Sequence, residues 1–212
     1  RLAARREGGR ADGQGRVDGN VVADEDVVAG DDDVLPVRRG RSGTAVGRAV
    51  HAVLQTVDLR TGDGLRTAAR AQALTEEVPE REAEVARLAR AMLDAPVVRL
   101  AAENPCWREV PVTAQVGDAT VEGVIDLLVD APEGLVVVDY KTDRVETGAA
   151  LERAVTRHRP QGAAYALALG TLLGRAVSRC VFVFATADGV VERDVADLDD
   201  AIVEVRESLS SV

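Results

Sequence analysis

Two strand-like segments joined by a tight turn constrain the fold of this chain more than any other feature. Residues 119–129 and 135–141 are rich in β-branched and apolar side chains, and the five residues between them include a proline and a glycine. If the turn centres on residues 132–133, positions whose numbers sum to 265 face each other across an antiparallel hairpin. Asp126 then lies opposite Asp139, with Cβ atoms about 4.5–5.5 Å apart. The sequence therefore predicts two neighbouring carboxylates on one face of a β-hairpin.

The two faces of this hairpin differ in chemistry. Strand alternation puts Lys141 on the same face as Asp139, whereas the opposite face is predicted to be ordinary core. That core face consists of Val121, Ile125, Leu127, Val136 and Val138. Two carboxylates this close repel each other unless a proton or a cation lies between them. Mg²⁺ and Mn²⁺ prefer oxygen ligands and are the predicted occupants. Lys141 could orient or deprotonate a water, or neutralise charge on a phosphate.

A solvated hairpin face with one cross-strand ion pair is the alternative interpretation. It is disfavoured because aspartate is poorly suited to strand interiors. Leu128 and Val137 also share the acidic face, so a further element is expected to pack over it. Lys141 is the single lysine among 26 basic residues. Because lysine is a compact charge that can exchange protons, unlike arginine, its presence here favours a chemical role.

Composition limits the class of protein. With 212 residues, 46% of them hydrophobic and 29% charged, the chain fits one globular domain with or without a tail. The net charge of −10 argues against a generic nucleic-acid coat, although a nuclease stays open because charge acts locally. Cys106 and Cys180 have no metal-type spacing, so reduced cytoplasmic thiols are expected. Because the chain has only these two cysteines, a four-cysteine iron–sulfur cluster within it is excluded. The longest apolar stretch, 163–173, is too short to span a bilayer, and no secretory segment opens the chain.

The chain divides into a predicted linker and one predicted domain. Residues 1–40 are rich in glycine, aspartate and arginine, and we expect a flexible linker or tether there. Because the first residue is Arg1, we expect the C-terminal piece of a longer polypeptide. Residues 41–212 have globular patterning, with strands flanked by helices, which indicates an α/β domain with a mixed sheet. Predicted helices cover 46–57, 79–93, 148–155, 160–170 and a segment after Asp197, and further predicted strands cover 106–116, 180–185 and 190–195.

Three short motifs follow one another in a specific order. Residues 47–51 are Gly-Arg-Ala-Val-His, and the hairpin carries Gly-Val-Ile-Asp at 123–126 and Asp-Tyr-Lys at 139–141. Gln161 and Tyr165 follow with the spacing Gln-x-x-x-Tyr. The hairpin motif resembles the Asp-…-Asp-x-Lys core of the PD-(D/E)XK nuclease superfamily. The early and late motifs resemble, more narrowly, the RecB-type nuclease domain at the C-terminus of RecB-, AddA- and AdnAB-like helicase–nucleases.

This resemblance covers residues 42–195 and carries expectations for fold and cofactor. Residues 107–111, Trp-Arg-Glu-Val-Pro, are also similar to the family's strand before the acidic hairpin. The resemblance implies a restriction-endonuclease-like core with a mixed central β-sheet flanked by helices. It also implies a deoxyribonuclease dependent on Mg²⁺ or Mn²⁺. The implied metal ligands are His51, Asp126, Asp139 and the backbone carbonyl of Tyr140.

The resemblance also implies residue roles and partners. The implied catalytic residues are Asp126, Asp139, Lys141, Gln161 and Tyr165, and the implied substrate-binding residues are Arg48, Gln161 and Tyr165. Gln161 could hold a carboxylate or a DNA phosphate, with Tyr165 stacking or hydrogen-bonding near it. The expected partners are DNA, a helicase motor upstream in the same polypeptide and a second helicase–nuclease subunit, with no membrane. The expected setting is end processing of double-strand breaks in the cytoplasm.

Weaker signals and rival interpretations stay open at this point. Segments 34–60 and 144–179 are locally basic in an acidic chain, which mildly supports a polyanionic substrate. Glu109 and Glu122 are weaker site candidates, since each fits a solvated strand carboxylate. One rival is a catalytically inactive nuclease-fold module that binds DNA or scaffolds a partner in the same assembly. Another is an unrelated acidic α/β protein with a fortuitous motif.

Overall fold

Helices form where apolar side chains recur at helical spacing, and strands form in the β-branched segments. The computed structural model describes residues 43–142, 148–186 and 189–210, together with the backbone of residues 34–35. Apart from that dipeptide, the predicted linker over residues 1–40 lies outside the described residues. The helices are α1 Ala45–Thr56, α2 Leu65–Thr75, α3 Glu82–Leu93, α4 Pro96–Glu103, α5 Ala149–Leu173 and α6 Leu198–Ser210. The strands are β1 Val34–Leu35, β2 Cys106–Val116, β3 Ala119–Ala131, β4 Gly134–Lys141, β5 Val177–Thr186 and β6 Gly189–Asp194.

The six strands in the described part of the chain form one mixed sheet. Strand β3 pairs antiparallel with β2 along its length, antiparallel with β4 through its second half, and parallel with β1 at residues 120–121. Strand β4 pairs parallel with β5, and β5 pairs antiparallel with β6. The predicted α/β fold with a mixed central sheet is therefore confirmed.

Helices cover both faces of this sheet. On one face, α1, α3 and α4 pack on alternate residues of the strands, including Leu127, Val138 and Val183. On the other face, α5 packs on the intervening residues, including Leu128, Val137 and Phe182. Helix α6 continues this second layer beside α5. Each central strand is therefore buried on both sides, as its continuous apolar sequence requires.

Three features of the helices differ from expectation. Helix α2, at residues 65–75, and helix α4, at residues 96–103, were not predicted. The two helices expected at 148–155 and 160–170 form the single helix α5, with Pro160 inside it. Proline removes one helical hydrogen bond and crowds the preceding turn, but residues before and after it lie in the same core cluster, so packing stabilises one helix across it. Among helices in the described ranges, none has the length and apolar character needed to cross a membrane.

The strand alternation reverses at the point where the acidic residues lie. Val121 and Ile125 pack on the α5 side of β3, whereas Leu127 packs on the α1 side. The predicted common core face of the hairpin is therefore wrong at this position. Glu109 is adjacent on β2, between the pairs that residues 108 and 110 form with β3, and its φ is +50°. A left-handed residue interrupts the regular pleat, so the faces of both strands change here.

Candidate metal-binding active site

Helix α1 brings His51 over the end of the acidic hairpin. The side chain of Thr44 caps the helix by accepting a hydrogen bond from the N–H of Gly47 at 3.0 Å. A Cβ atom at Gly47 would lie only 2.6 Å from Oγ1 of Thr142, the residue after β4. The missing side chain thus lets the first turn of α1 approach the end of β4 closely. His51 follows one turn later on the same helix.

The predicted hairpin register is confirmed, with one local difference. Leu127 pairs with Val138 and residue 129 pairs with residue 136, so facing positions sum to 265. Asp126 and Asp139 lie one step beyond the last paired positions. Asp126 does not simply face Asp139, because its Oδ2 atom accepts a hydrogen bond from the backbone N–H of residue 140 at 2.7 Å. The hairpin therefore holds the Asp126 carboxylate in a defined orientation.

Asp126 and His51 form a partly buried pair. Nδ1 of His51 lies 3.1 Å from Oδ1 of Asp126. Burial alone would lower the pKa of His51, but the negative charges of Asp126, Asp139 and Glu109 raise it to about 9. Burial alone would raise the pKa of Asp126, but His51 and the N–H of Tyr140 hold it below its usual value. The carboxylates at this end of the sheet thus stabilise the protonated imidazole of His51.

Asp139 has a buried oxygen that accepts no hydrogen bond from the described residues. Its Oδ2 atom lies 3.2 Å from Nζ of Lys141, an ion pair that lacks hydrogen-bond geometry. Burial raises the pKa of Asp139 to about 6, with the charge of Lys141 opposing this rise and that of Asp126 adding to it. A buried carboxylate oxygen without a hydrogen bond is costly and calls for a further partner. A divalent cation with oxygen ligands fits this requirement.

Glu109 joins the site, contrary to its assignment as a solvated strand carboxylate. One ligand atom each from His51, Glu109 and Asp126 lies within 4.8 Å of the others. Burial and the charge of Asp126 raise the pKa of Glu109. Asp139 is not in this tight cluster, although its charge acts on Asp126 and His51. The two carboxylates are suitable ligands for Mg²⁺ or Mn²⁺, whereas an imidazole ligand is more typical of transition metals. Glu122 is exposed, as expected.

Gln161 and Tyr165 lie on α5, which covers the face of the sheet opposite α1. Gln161 contacts Lys141, and Tyr165 contacts Gln161. Oε1 of Gln161 accepts a hydrogen bond from Nζ of Lys141 at 2.8 Å. Nε2 of Gln161 donates to the hydroxyl of Tyr165 at 3.3 Å. Lys141 also lies 5.7 Å from the ring centre of Phe182, and its side chain is 11% exposed. The described contact of Gln161 is therefore with the lysine, and its predicted contact with a phosphate stays a prediction.

Gly123 makes room for Tyr165. A Cβ atom at Gly123 would lie 2.5 Å from Cε1 of the Tyr165 ring, which is far inside van der Waals contact. We expect Gly123→Ala to displace the ring and to lower the free energy of unfolding by about 1–3 kcal/mol. We also expect it to reduce the predicted DNA cleavage at least about tenfold. Thermal melting and a DNA-cleavage assay measure both effects. Gly170→Ala is the matched control, since its Cβ would lie at an ordinary 3.8 Å from the nearest neighbour. Unchanged melting and activity in Gly123→Ala would refute this role.

Arg48 is engaged within the protein. Its side chain donates to Oε2 of Glu76 at 2.8 Å and to the backbone carbonyl of Gly43 at 2.8 Å. These contacts link the first turn of α1 to the end of α2. The predicted role of Arg48 in substrate binding therefore stays a prediction. Parts of the two basic segments, residues 36–42 and 144–147, lie outside the described residues.

A match to a protein-family model identifies the family of this chain. Residues 33–212 match the model of the PD-(D/E)XK nuclease superfamily. Because this match covers most of the chain, the chain belongs to that superfamily. The mixed sheet flanked by helices agrees with the restriction-endonuclease-like core that the sequence predicts.

The curated relatives are more specific, and each is an ATP-dependent helicase/nuclease subunit. The one from Desulforudis audaxviator is 37% identical over 74% of this chain, and the one from Pelotomaculum thermopropionicum is 36% identical over 66%. The one from Levilactobacillus brevis is 27% identical over 68%. This chain spans only 12–14% of the length of these relatives. Among solved structures, that of SSO0001 covers 79% of this chain and 84% of its own at 18% identity, with a TM-score of 0.37.

Proposed function

We propose that this chain is a DNA nuclease that hydrolyses phosphodiester bonds with Mg²⁺ or Mn²⁺. The observation that carries this proposal is the buried Oδ2 atom of Asp139, which accepts no hydrogen bond from the described residues and lies beside Lys141 and the acidic cluster. Its ionic contact with Lys141 does not supply a hydrogen bond, and a buried polar oxygen ordinarily has one. A further ligand for this oxygen is therefore expected.

Four side chains of this chain are the proposed ligands of the metal ion. His51, Glu109, Asp126 and Asp139 would hold the ion, and the backbone carbonyl of Tyr140 is a further candidate ligand. The ion would supply Lewis-acid stabilisation of the charge that develops on the scissile phosphate. Each of the four side chains is oriented by a different element, namely α1, β2, β3 and β4. Packing of these elements therefore determines the geometry of the site before substrate binds.

Lys141 would act on the substrate side of the carboxylates. Gln161 and Asp139 hold its ammonium group from two directions, and Tyr165 in turn holds the amide of Gln161. An ammonium group has three N–H donors, so donors remain for a phosphate oxygen or for the attacking water. Lys141 would thus neutralise charge on the phosphate and orient the water. The Gln161–Tyr165 pair would prevent the lysine from moving away.

The biological setting is proposed from the relatives. Their names describe ATP-dependent helicase/nuclease subunits, and this chain corresponds to a small part of them. We therefore place residues 41–212 as the nuclease domain of a longer cytoplasmic polypeptide, following a helicase motor and a linker over residues 1–40. The proposed role is exonucleolytic processing of DNA ends during double-strand break repair, and the proposed partner is a second helicase–nuclease subunit.

Purified chain is expected to cleave single-stranded DNA in Mn²⁺ or Mg²⁺ and to be inactive in EDTA. The reason is that the acidic cluster binds DNA phosphate only when a cation offsets its charge. A gel assay with end-labelled DNA measures the activity, and restoring Mn²⁺ to the EDTA sample is the control. Cleavage that persists in EDTA, or no cleavage with either ion across a range of pH, would contradict the proposal.

A further inference from the structure

The guanidinium group of Arg108 holds the C-terminal end of α1. Nη1 of Arg108 donates to the backbone carbonyls of Leu54 at 3.2 Å, Gln55 at 2.8 Å and Val57 at 2.8 Å. Carbonyls in the last turn of a helix have no partner within the helix, and a cation there also interacts favourably with the helix dipole. One side-chain nitrogen on β2, with two N–H bonds, therefore lies within hydrogen-bond distance of three carbonyls at the end of α1.

This cap comes from a distant strand and not from the helix itself. The last turn of α1 contains no basic residue, and Arg108 lies more than 50 positions further along the chain. A lysine or arginine within the last turn would cap the helix wherever the helix lay. A cap supplied by β2 instead ties the position of α1 to the position of that strand.

The next residue of the same strand belongs to the acidic cluster. Consecutive strand residues normally point to opposite faces of a sheet. Because Glu109 has a φ of +50°, both Arg108 and Glu109 are directed to α1. Arg108 contacts its last turn, while Glu109 approaches His51, which lies one turn before Gln55. The dipeptide therefore connects β2 to α1 at two neighbouring points.

We propose that Arg108 is a positioning residue for the metal-binding cluster. By holding the end of α1 against β2, it keeps His51 at binding distance from Glu109 and Asp126, without being a metal ligand itself. This inference rests on the proposed function, because it assumes that the cluster binds a divalent ion. Near its other end, α1 packs closely against Thr142 at Gly47, whereas Arg108 makes hydrogen bonds to the C-terminal end of the helix.

Charge and position have opposite effects on metal affinity, which makes the proposal testable. If Arg108 acted only through its positive charge, its removal would strengthen the binding of a cation nearby. If Arg108 acted only on stability, its removal would lower the melting temperature and leave the affinity of the folded protein unchanged. Only a positioning role predicts weaker metal binding by the folded protein.

The experiment is a calorimetric titration of the full chain with Mn²⁺ alone, without DNA and below the melting temperature. We expect Arg108→Met to weaken Mn²⁺ binding at least about tenfold, since residues that orient metal ligands typically contribute about 10–100-fold. Arg108→Lys, which keeps a cationic donor, should recover part of this loss. Arg175→Met is the matched control, because Arg175 pairs with Asp130 at the turn end of the hairpin and contacts none of the cluster residues, so its Mn²⁺ affinity should equal that of the wild type.

The outcomes separate this inference from the proposed function. If the wild-type chain fails to bind Mn²⁺, the proposed function is wrong. If the wild type binds and folded Arg108→Met binds equally well or more tightly, the positioning role is wrong. Should Arg108→Met not fold, Arg108→Gln is measured in its place with the same expectation. Failure of both variants to fold would overturn the inference, since Arg108 would then be required for folding and not specifically for the site.

Discussion

Replacing Asp139 by alanine is expected to abolish DNA cleavage and to leave the fold intact. The change removes a proposed metal ligand, and the several kcal/mol of transition-state stabilisation that a metal supplies correspond to about 1000-fold or more in rate. The fold should survive because relief of the repulsion between Asp139 and Asp126 offsets the loss of the ion pair with Lys141. In EDTA, the melting temperature of the variant should stay close to that of the wild type.

Asp130→Ala is the matched control for this variant. Asp130 lies on the same hairpin, but it is at the turn end and is paired with Arg175 and not with a residue of the cluster. Its removal should leave cleavage within about twofold of the wild type, because surface ion pairs contribute little. Residual cleavage by Asp139→Ala above a few per cent, in protein that melts cooperatively, would rule out the metal assignment of Asp139.

Lys141→Arg is expected to fail almost as completely as Lys141→Ala. The side chain is enclosed by Asp139, Gln161 and Phe182 and is only 11% exposed, so the larger guanidinium group would not fit without displacing them. The planar guanidinium fork also differs in shape from a compact ammonium group, so it would not orient the water in the same way. We expect both variants to lose at least about 100-fold in cleavage rate, a loss typical of removing one catalytic group.

Metal binding distinguishes this result from simple damage to the site. Lys141 is not a proposed ligand, so both variants should still bind Mn²⁺ when titrated by calorimetry. If Lys141→Arg cleaves DNA at nearly the wild-type rate, the single lysine serves only as a positive charge. Its occurrence in a chain with 26 basic residues would then be an accident of composition.

The strands and the hairpin register could be predicted from the sequence. Residues 106–116 were expected to be extended and form β2 with the same bounds. The register followed from the position of the turn, because locating the turn of an antiparallel hairpin fixes which residues face each other. The grouping of His51, Asp126 and Lys141 at one end of the sheet then followed from motifs on either side of that hairpin.

The remaining features depend on tertiary structure. The left-handed backbone of Glu109 leaves no periodic signal, so the sequence pattern assigned it to a solvated face. Helix α2 buries mainly alanines, which give little contrast in hydrophobicity, and Pro96 marks the first residue of α4 and not a break. Helix α5 continues through Pro160 because of packing against β5, which the local sequence does not reveal.

The most direct test compares wild-type protein and Asp139→Ala, purified in parallel, on end-labelled single-stranded DNA in Mn²⁺. Contaminating nucleases cannot explain a difference in cleavage between the two proteins, since both preparations would carry them. The proposed site predicts cleavage by the wild type and none by the variant, with EDTA silencing the wild type. Equal cleavage by the two proteins, or no cleavage by a wild-type protein that binds Mn²⁺, would contradict the conclusion that this chain is an active nuclease.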